Sequence, residues 1–181
     1  MRFLLANGVY ASPAAVPLDR FAQLAVEAEV AFVMREDLAG PGITPPRALA
    51  AVEGALPALE LIDARWSGKA TATDVIADGV YASAIVLGAP LTPVRNLDLA
   101  LEGLVYEMNG AIAATNTAAE VLGSPANSLA WIANTLGARD LSLRAGDVVM
   151  SGSISILLRP QAGATIRATF TRLGSVAARF G

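Results

Sequence analysis

Hydrophobic and polar positions along this 181-residue chain change period several times, and each change marks a predicted element. Val26 to Met34 (VEAEVAFVM) is rich in strand formers and predicts a strand. A Gly/Pro loop follows. Thr44-Pro45 then opens a predicted helix as N-cap and first-turn proline, with Ala48, Ala51, Val52 and Ala55 as its apolar face and Pro57 as its end. Ala58 to Ile62 predicts a second strand. Asn109-Gly110, between the strand-like runs of GLVYEMNGAIAAT, is the favoured chemistry of a two-residue type I′ hairpin. Ser124-Pro125 starts a helix that Gly137 ends, and Ala126, Leu129, Ala130, Ala133 and Leu136 recur on it at helical spacing. Trp131 and Ile132 widen that face.

The last third predicts strands. Asp147 to Leu158 is one apolar run. Ile166, Ala168 and Phe170 alternate with Arg167, Thr169 and Thr171, and Val176, Ala178 and Phe180 repeat the pattern. The sum is an α+β class, or a helix-decorated β-roll, in a single domain over residues 1–181.

Composition narrows this picture. With 54% hydrophobic and 16% charged residues the chain folds, and the apolar surplus predicts a homo-oligomer unless alanine accounts for it. A net charge of −3 with no basic cluster excludes a nucleic-acid footprint. No membrane is expected: the most hydrophobic stretch, Val80 to Val94, is broken by Gly88, Pro90 and Pro93. The opening MRFLLANGVYAS is too short and weakly charged for a signal peptide, and cysteine is absent, so a cytoplasmic address is expected. Histidine is absent too. Any chemistry must therefore use carboxylates, hydroxyls, backbone groups, arginine or a metal.

Glu27-Ala28-Glu29 is the strongest candidate. Residues two apart on a strand face one side, so both carboxylates project together from an otherwise apolar segment. Glu60 is embedded in the second strand, with Asp63 close behind. Three oxygen ligands without nitrogen or sulfur suit a hard divalent ion, Mg²⁺ or Mn²⁺. Spacing alone leaves a second reading open, the solvated face of an edge strand. Ser151-Gly152-Ser153 likewise reads either as a donor cluster for a substrate carboxylate or as an ordinary bend. Asn127 and Asn134 read as capping and packing residues, and Trp66 and Trp131 as core or interface.

Several segments carry a family resemblance. VEAEVAFVMREDL, PALELIDARW, VLGSPANSLAWIANTLG, LRAGDVVMSGSIS and LGSVAARF resemble, in order and spacing, the fumarylacetoacetate hydrolase superfamily. The branch they are most similar to is that of the 2-keto-4-pentenoate hydratases and 4-oxalocrotonate decarboxylases. The resemblance implies a mixed β-sandwich or β-roll with peripheral helices, the C-terminal-domain type of that superfamily. It implies Glu27, Glu29 and Glu60 as ligands of Mg²⁺ or Mn²⁺, with Asp63 and Arg65 in support, bonded to each other. Ser151, Gly152 and Ser153 become substrate contacts, with Gln23 as a further donor and Ser153 and Tyr81 as catalytic hydroxyls. The activity implied is hydration of a 2-hydroxy-2,4-dienoate in aromatic-compound catabolism. The alternatives are decarboxylation or carbon–carbon hydrolysis of a 2-keto dioate, or a non-catalytic partner subunit of an enzyme.

Two departures accompany the resemblance. The branch carries a proton-handling lysine in a helical region upstream of the metal strand. This sequence, with 26 residues ahead of Glu27, is expected to lack that region, and Lys69 lies in a polar loop that does not match it. Within Asp78-Gly79-Val80-Tyr81-Ala82-Ser83, Tyr81 falls near the branch's pocket serine, either supplying a hydroxyl or filling the pocket.

Overall fold

Alternating burial along the strands builds one core between two sheets. The computed structural model describes residues 8–66 and 68–181; residues 1–7, where the signal-peptide question falls, lie outside them. The first sheet runs, in spatial order, β1 (Val9–Ala11), β5 (Ala82–Leu87), β4 (Val52–Asp63), β3 (Leu24–Met34) and β8 (Val148–Met150). The second runs β2 (Ala14–Val16), β10 (Gly174–Phe180), β9 (Thr165–Phe170), β6 (Gly103–Met108) and β7 (Ala111–Thr117). The short β1 and β2 pair in parallel with β5 and β10, and every other pairing is antiparallel. Val26, Ala28, Val30, Phe32, Leu59 and Leu61 from one sheet meet Leu104, Tyr106, Ile166, Ala168, Val176 and Phe180 from the other in a single buried cluster. This is the α+β sandwich with peripheral helices that the sequence predicts.

The hairpin and the long helix stand as expected. Asn109 and Gly110 both adopt positive φ (54° and 78°), as a type I′ turn requires. Helix α3 (Pro125–Gly137) is capped by the Ser124 hydroxyl and buries Ala126, Leu129, Ala130, Ala133 and Leu136. Trp131 falls outside that face and is 62% exposed, and Trp66 is 45% exposed, so neither is a core residue. No helix among the described residues is long and apolar enough to cross a membrane.

Three expectations change. Helix α1 spans only Pro45–Ala50, and Val52 to Pro57 belong instead to β4, whose ladder with β3 runs from Met34↔Val52 to Leu24↔Asp63. Ala48, Ala51, Val52 and Ala55 are buried all the same, because long-range pairing reuses the apolar positions that helical spacing suggested. Pro57 is tolerated because it stands just beyond the β4–β5 ladder, where its carbonyl accepts from Gly88 N–H and its missing N–H costs no ladder bond. The Asp147–Leu158 run yields only β8; residues 151–158 form an irregular strap along β3. A helix not foreseen, α2 (Ala72–Ala77), opens with a capping box between Thr71 and Asp74.

Gly88 ties the sheets together. A Cβ there meets Ser175 O at 2.6 Å and Pro57 Cγ at 2.7 Å, one from each sheet. Gly88→Ala is expected to destabilise the fold by about 1–3 kcal/mol, the cost of overpacking at a backbone contact, and the midpoint of urea unfolding measures it.

Candidate metal centre

Strand β3 pairs with β4 on one side and with β8, then the 151–158 strap, on the other, so Glu27 and Glu29 do not lie on an edge strand. Its even-numbered residues enter the inter-sheet core, which sends Glu27 and Glu29 to the other face. That face is covered as well: Ala25, Ala31, Ala58 and Ile85 are buried although they lie outside the main core cluster. The register sets Glu27 directly opposite Glu60 on β4. One carboxylate oxygen from each of Glu27, Glu29 and Glu60 lies within 4.8 Å of the other two.

Such crowding has an electrostatic signature. Glu29 is 2% exposed, and burial pushes its carboxyl well above the ordinary range, with the neighbouring Glu60 and Glu27 charges adding to the effect. Only Gly152 N–H, 2.8 Å from Glu29 Oε2, pulls the other way. Burial also raises Glu27, opposed by a hydrogen bond with the Ser153 hydroxyl. No arginine or lysine is among the groups that shift either carboxyl. Three carboxylate oxygens with no nitrogen or sulfur donor among them fit a hard divalent ion, which would keep about three further positions for water and a chelating ligand.

The strap explains how the donors reach these acids. Past β8 the ladder along β3 continues with serine hydroxyls in place of carbonyls. Ser151 Oγ accepts from Val30 N–H at 3.2 Å, and Ser155 Oγ from Ala28 N–H at 2.9 Å. Backbone freed from the ladder turns toward the ligands: Gly152, at φ 107°, aims its N–H at Glu29, and Ser153 meets Glu27. Behind the strap stands Val121, its Cγ1 3.7 Å from where a Cβ on Gly152 would sit. Leu122 follows at φ 50° and is 65% exposed, its carbonyl held by Asn127 Nδ2.

The predicted residues therefore divide. Glu27, Glu29, Glu60, Gly152 and Ser153 converge. Ser151 is buried and its hydroxyl is engaged by backbone, accepting from Val30 N–H and donating to Gly152 O. Gln23 is exposed, four positions before Glu27, and its backbone N–H donates to Asp63 Oδ1. That bond replaces the expected Asp63–Arg65 contact; Arg65 pairs with Asp78 instead, at 2.9 Å. The backbone carbonyl of Tyr81, at φ 63° just ahead of β5, accepts from Asp63 N–H, about 10 Å along the ladder from Glu60. The β4–β5 register shifts between Leu61 and Ile62, and the bulge leaves Ser83 on the face of Ile85 and Glu60. Ser83 is the residue that this register skips, and spacing along the sequence did not single it out because a bulge shifts every offset counted through it. Asn127 and Asn134 hold backbone, the latter bracketing Ile43 N–H and O. A groove of about 640 Å³ between Arg35, Leu49, Val94 and Arg95 lies toward the other end of β3 and shares no residue with this centre.

Because both carboxyls are raised, the metal-free folded chain holds protons that the unfolded chain has released. Its stability therefore falls as pH rises from the ordinary carboxylate range toward neutrality. We expect the Tm of the metal-free protein to drop across about pH 5 to 7, Mg²⁺ to restore it, and Glu29→Gln to flatten the dependence; scanning calorimetry at fixed ionic strength measures all three.

Comparison with known proteins places these features in context. The model of the fumarylacetoacetate (FAA) hydrolase C-terminal family matches residues 3–181. A 2-hydroxyhexa-2,4-dienoate hydratase of Comamonas testosteroni is 35% identical over 181 residues, covering 98% of this chain and 69% of that protein. A 2-hydroxypent-2,4-dienoate hydratase of Pseudomonas putida is 40% identical over 133 residues, 71% of this chain and 59% of its own length. Among solved structures, the 4-oxalocrotonate decarboxylase of Pseudomonas putida G7, complexed with magnesium and adipate, superposes with a TM-score of 0.92 at 30% identity. That match covers 97% of this chain and 67% of the decarboxylase.

Proposed function

The chain belongs to the fumarylacetoacetate hydrolase C-terminal family, and from that premise we propose that it is a divalent-metal-dependent hydro-lyase acting on a 2-hydroxy-2,4-dienoate, the enol of a 2-keto-4-enoic acid. The observation that carries the reading is the triad itself. One carboxylate oxygen from each of Glu27, Glu29 and Glu60 converges within 4.8 Å, in a chain 35% identical to a hydratase of such an acid. The structural neighbour, whose complex contains magnesium and a dicarboxylate, supports Mg²⁺ chemistry at these acids.

Glu27, Glu29 and Glu60 would hold the ion. When bound, it supplies Lewis-acid stabilisation to charge on the adjacent keto and carboxylate oxygens of a 2-keto acid. The chain's own groups do the rest. Gly152 N–H fixes Glu29, and the Ser153 hydroxyl fixes Glu27, so two ligand side chains are oriented before substrate arrives. Ser83 offers a hydroxyl on the same face for the substrate, and Tyr81 stands just ahead of the first residue of β5. Val121 and the exposed Leu122 give the strap an apolar flank suited to a hydrocarbon tail. Net hydration adds a proton to the conjugated carbon chain and hydroxide to the alkene, giving a 4-hydroxy-2-keto acid. Exposed Leu101, Ile112 and Trp131 support a homo-oligomer.

Decarboxylation of a 2-keto dioate is the second reading, favoured by the 0.92 TM-score to the decarboxylase and by the enolate that both reactions share. Mg²⁺-dependent loss of the ultraviolet absorbance of 2-hydroxypenta-2,4-dienoate tests the first reading. Glu29→Ala is expected to lower the rate by about a hundredfold or more, and Ser83→Ala by about tenfold, mostly in KM. Release of carbon dioxide from a 2-keto dioate, with no turnover of the dienoate, selects the second.

A further inference from the structure

We infer that Tyr106, on the opposite sheet, is a positioning residue for the metal ligands, acting through the core. This rests on the reading that Glu27, Glu29 and Glu60 hold a divalent ion. Tyr106 belongs to β6, is fully buried and points into the inter-sheet core. Phenylalanine fills such a site without a polar atom to satisfy, so a phenol there has to find a partner. Its hydroxyl donates to Val26 O at 3.0 Å, on the residue immediately before Glu27.

That carbonyl has no need of the phenol. Val26 O already accepts from Leu158 N–H at 3.0 Å, closing the bridge between β3 and the strap. The phenol is thus an added bond on an already paired group, and what it adds is a link from the second sheet to the peptide that carries Glu27. The strap holds the same stretch of β3 separately, Ser155 Oγ accepting from Ala28 N–H between the two ligands and donating to Ile156 O. The Tyr106 phenol, its one proton given to Val26 O, is the hold on the Glu27 peptide that comes from the second sheet.

Binding of Mn²⁺ to the full chain, read by calorimetry and by the Mn²⁺ paramagnetic resonance spectrum, tests this without reference to turnover. Tyr106→Phe removes only the hydroxyl. It is expected to weaken Mn²⁺ by about three- to tenfold, the worth of one hydrogen bond, and to alter the spectrum, while unfolding stays cooperative. Ile166→Val, a core truncation that touches neither the strap nor β3 through a hydrogen bond, should lose stability and leave both readouts unchanged. Ser155→Ala, which removes the separate hold on Ala28 N–H, should weaken Mn²⁺ on its own account, and the double variant should lose about the product of the two. Wild-type affinity and spectrum in folded Tyr106→Phe overturn the inference, as does equal weakening by Ile166→Val. If Tyr106→Phe fails to fold, Tyr106→Met, which likewise lacks the hydroxyl and adapts to the core, decides by the same two outcomes. A wild-type chain that binds no Mn²⁺ overturns the metal reading itself, and that failure is separate because it appears before any variant is made.

Discussion

Three carboxylates forced together on two central strands are the constraint around which the rest is arranged. Glu27 and Glu60 face each other across a ladder, and Glu29 is one pleat away and nearly sealed from solvent. In a buried setting, like charges at such separation oppose ionisation strongly, and strand backbone inside a sheet cannot swing them apart. At Glu29 and Glu27 the protein answers with Gly152 N–H and the Ser153 hydroxyl. A bound cation would add to that compensation. A covered, preorganised acidic site with an open coordination sphere is a costly feature for a fold unless it is used.

The strap lets one strand serve two surfaces. A regular strand beside β3 would commit its N–H and C=O groups to the ladder, leaving none for the ligands. Substituting the hydroxyls of Ser151 and Ser155 for two carbonyls satisfies Val30 and Ala28 while Gly152 turns at positive φ toward Glu29. The S-G-S-I-S run is thus a backbone device first. Its hydroxyls differ in duty: Ser151 and Ser155 maintain β3, and Ser153 alone meets a ligand.

Much of this was legible before the structure. The Asn109-Gly110 turn, the capped α3 with its buried face, and the alternation in β9 and β10 all follow from local chemistry, which a sequence displays directly. The acids were legible as a set because a carboxylate embedded in an apolar strand has to be paired, hydrated or bound to an ion. What was hidden depends on partners distant in sequence. Val52 to Pro57 looked like the end of a helix because alanines at helical spacing are buried in either element; only pairing with β3 decides. The bulge beside Ile62 leaves Ser83 without a ladder partner on β4, which spacing along the chain does not display. Asp63 found the Gln23 backbone instead of its near neighbour Arg65, a contact 40 residues apart that no local spacing encodes. The helix α2 was a different kind of miss, since its T-x-x-D capping box was present in the sequence.

The Glu27↔Glu60 register carries a consequence for folding fidelity. Side chains on a strand alternate faces, so a slip of β3 against β4 by one residue would drive Glu27 and Glu29 into the inter-sheet core and expose Val26 and Ala28. A slip by two restores the faces; in one direction it sets Glu29 opposite Glu60 with Glu27 still beside them, and in the other it carries Glu29 away from Glu60. An ion captured by these oxygens therefore proofreads strand alignment against every one-residue slip and against the slip that draws Glu29 away.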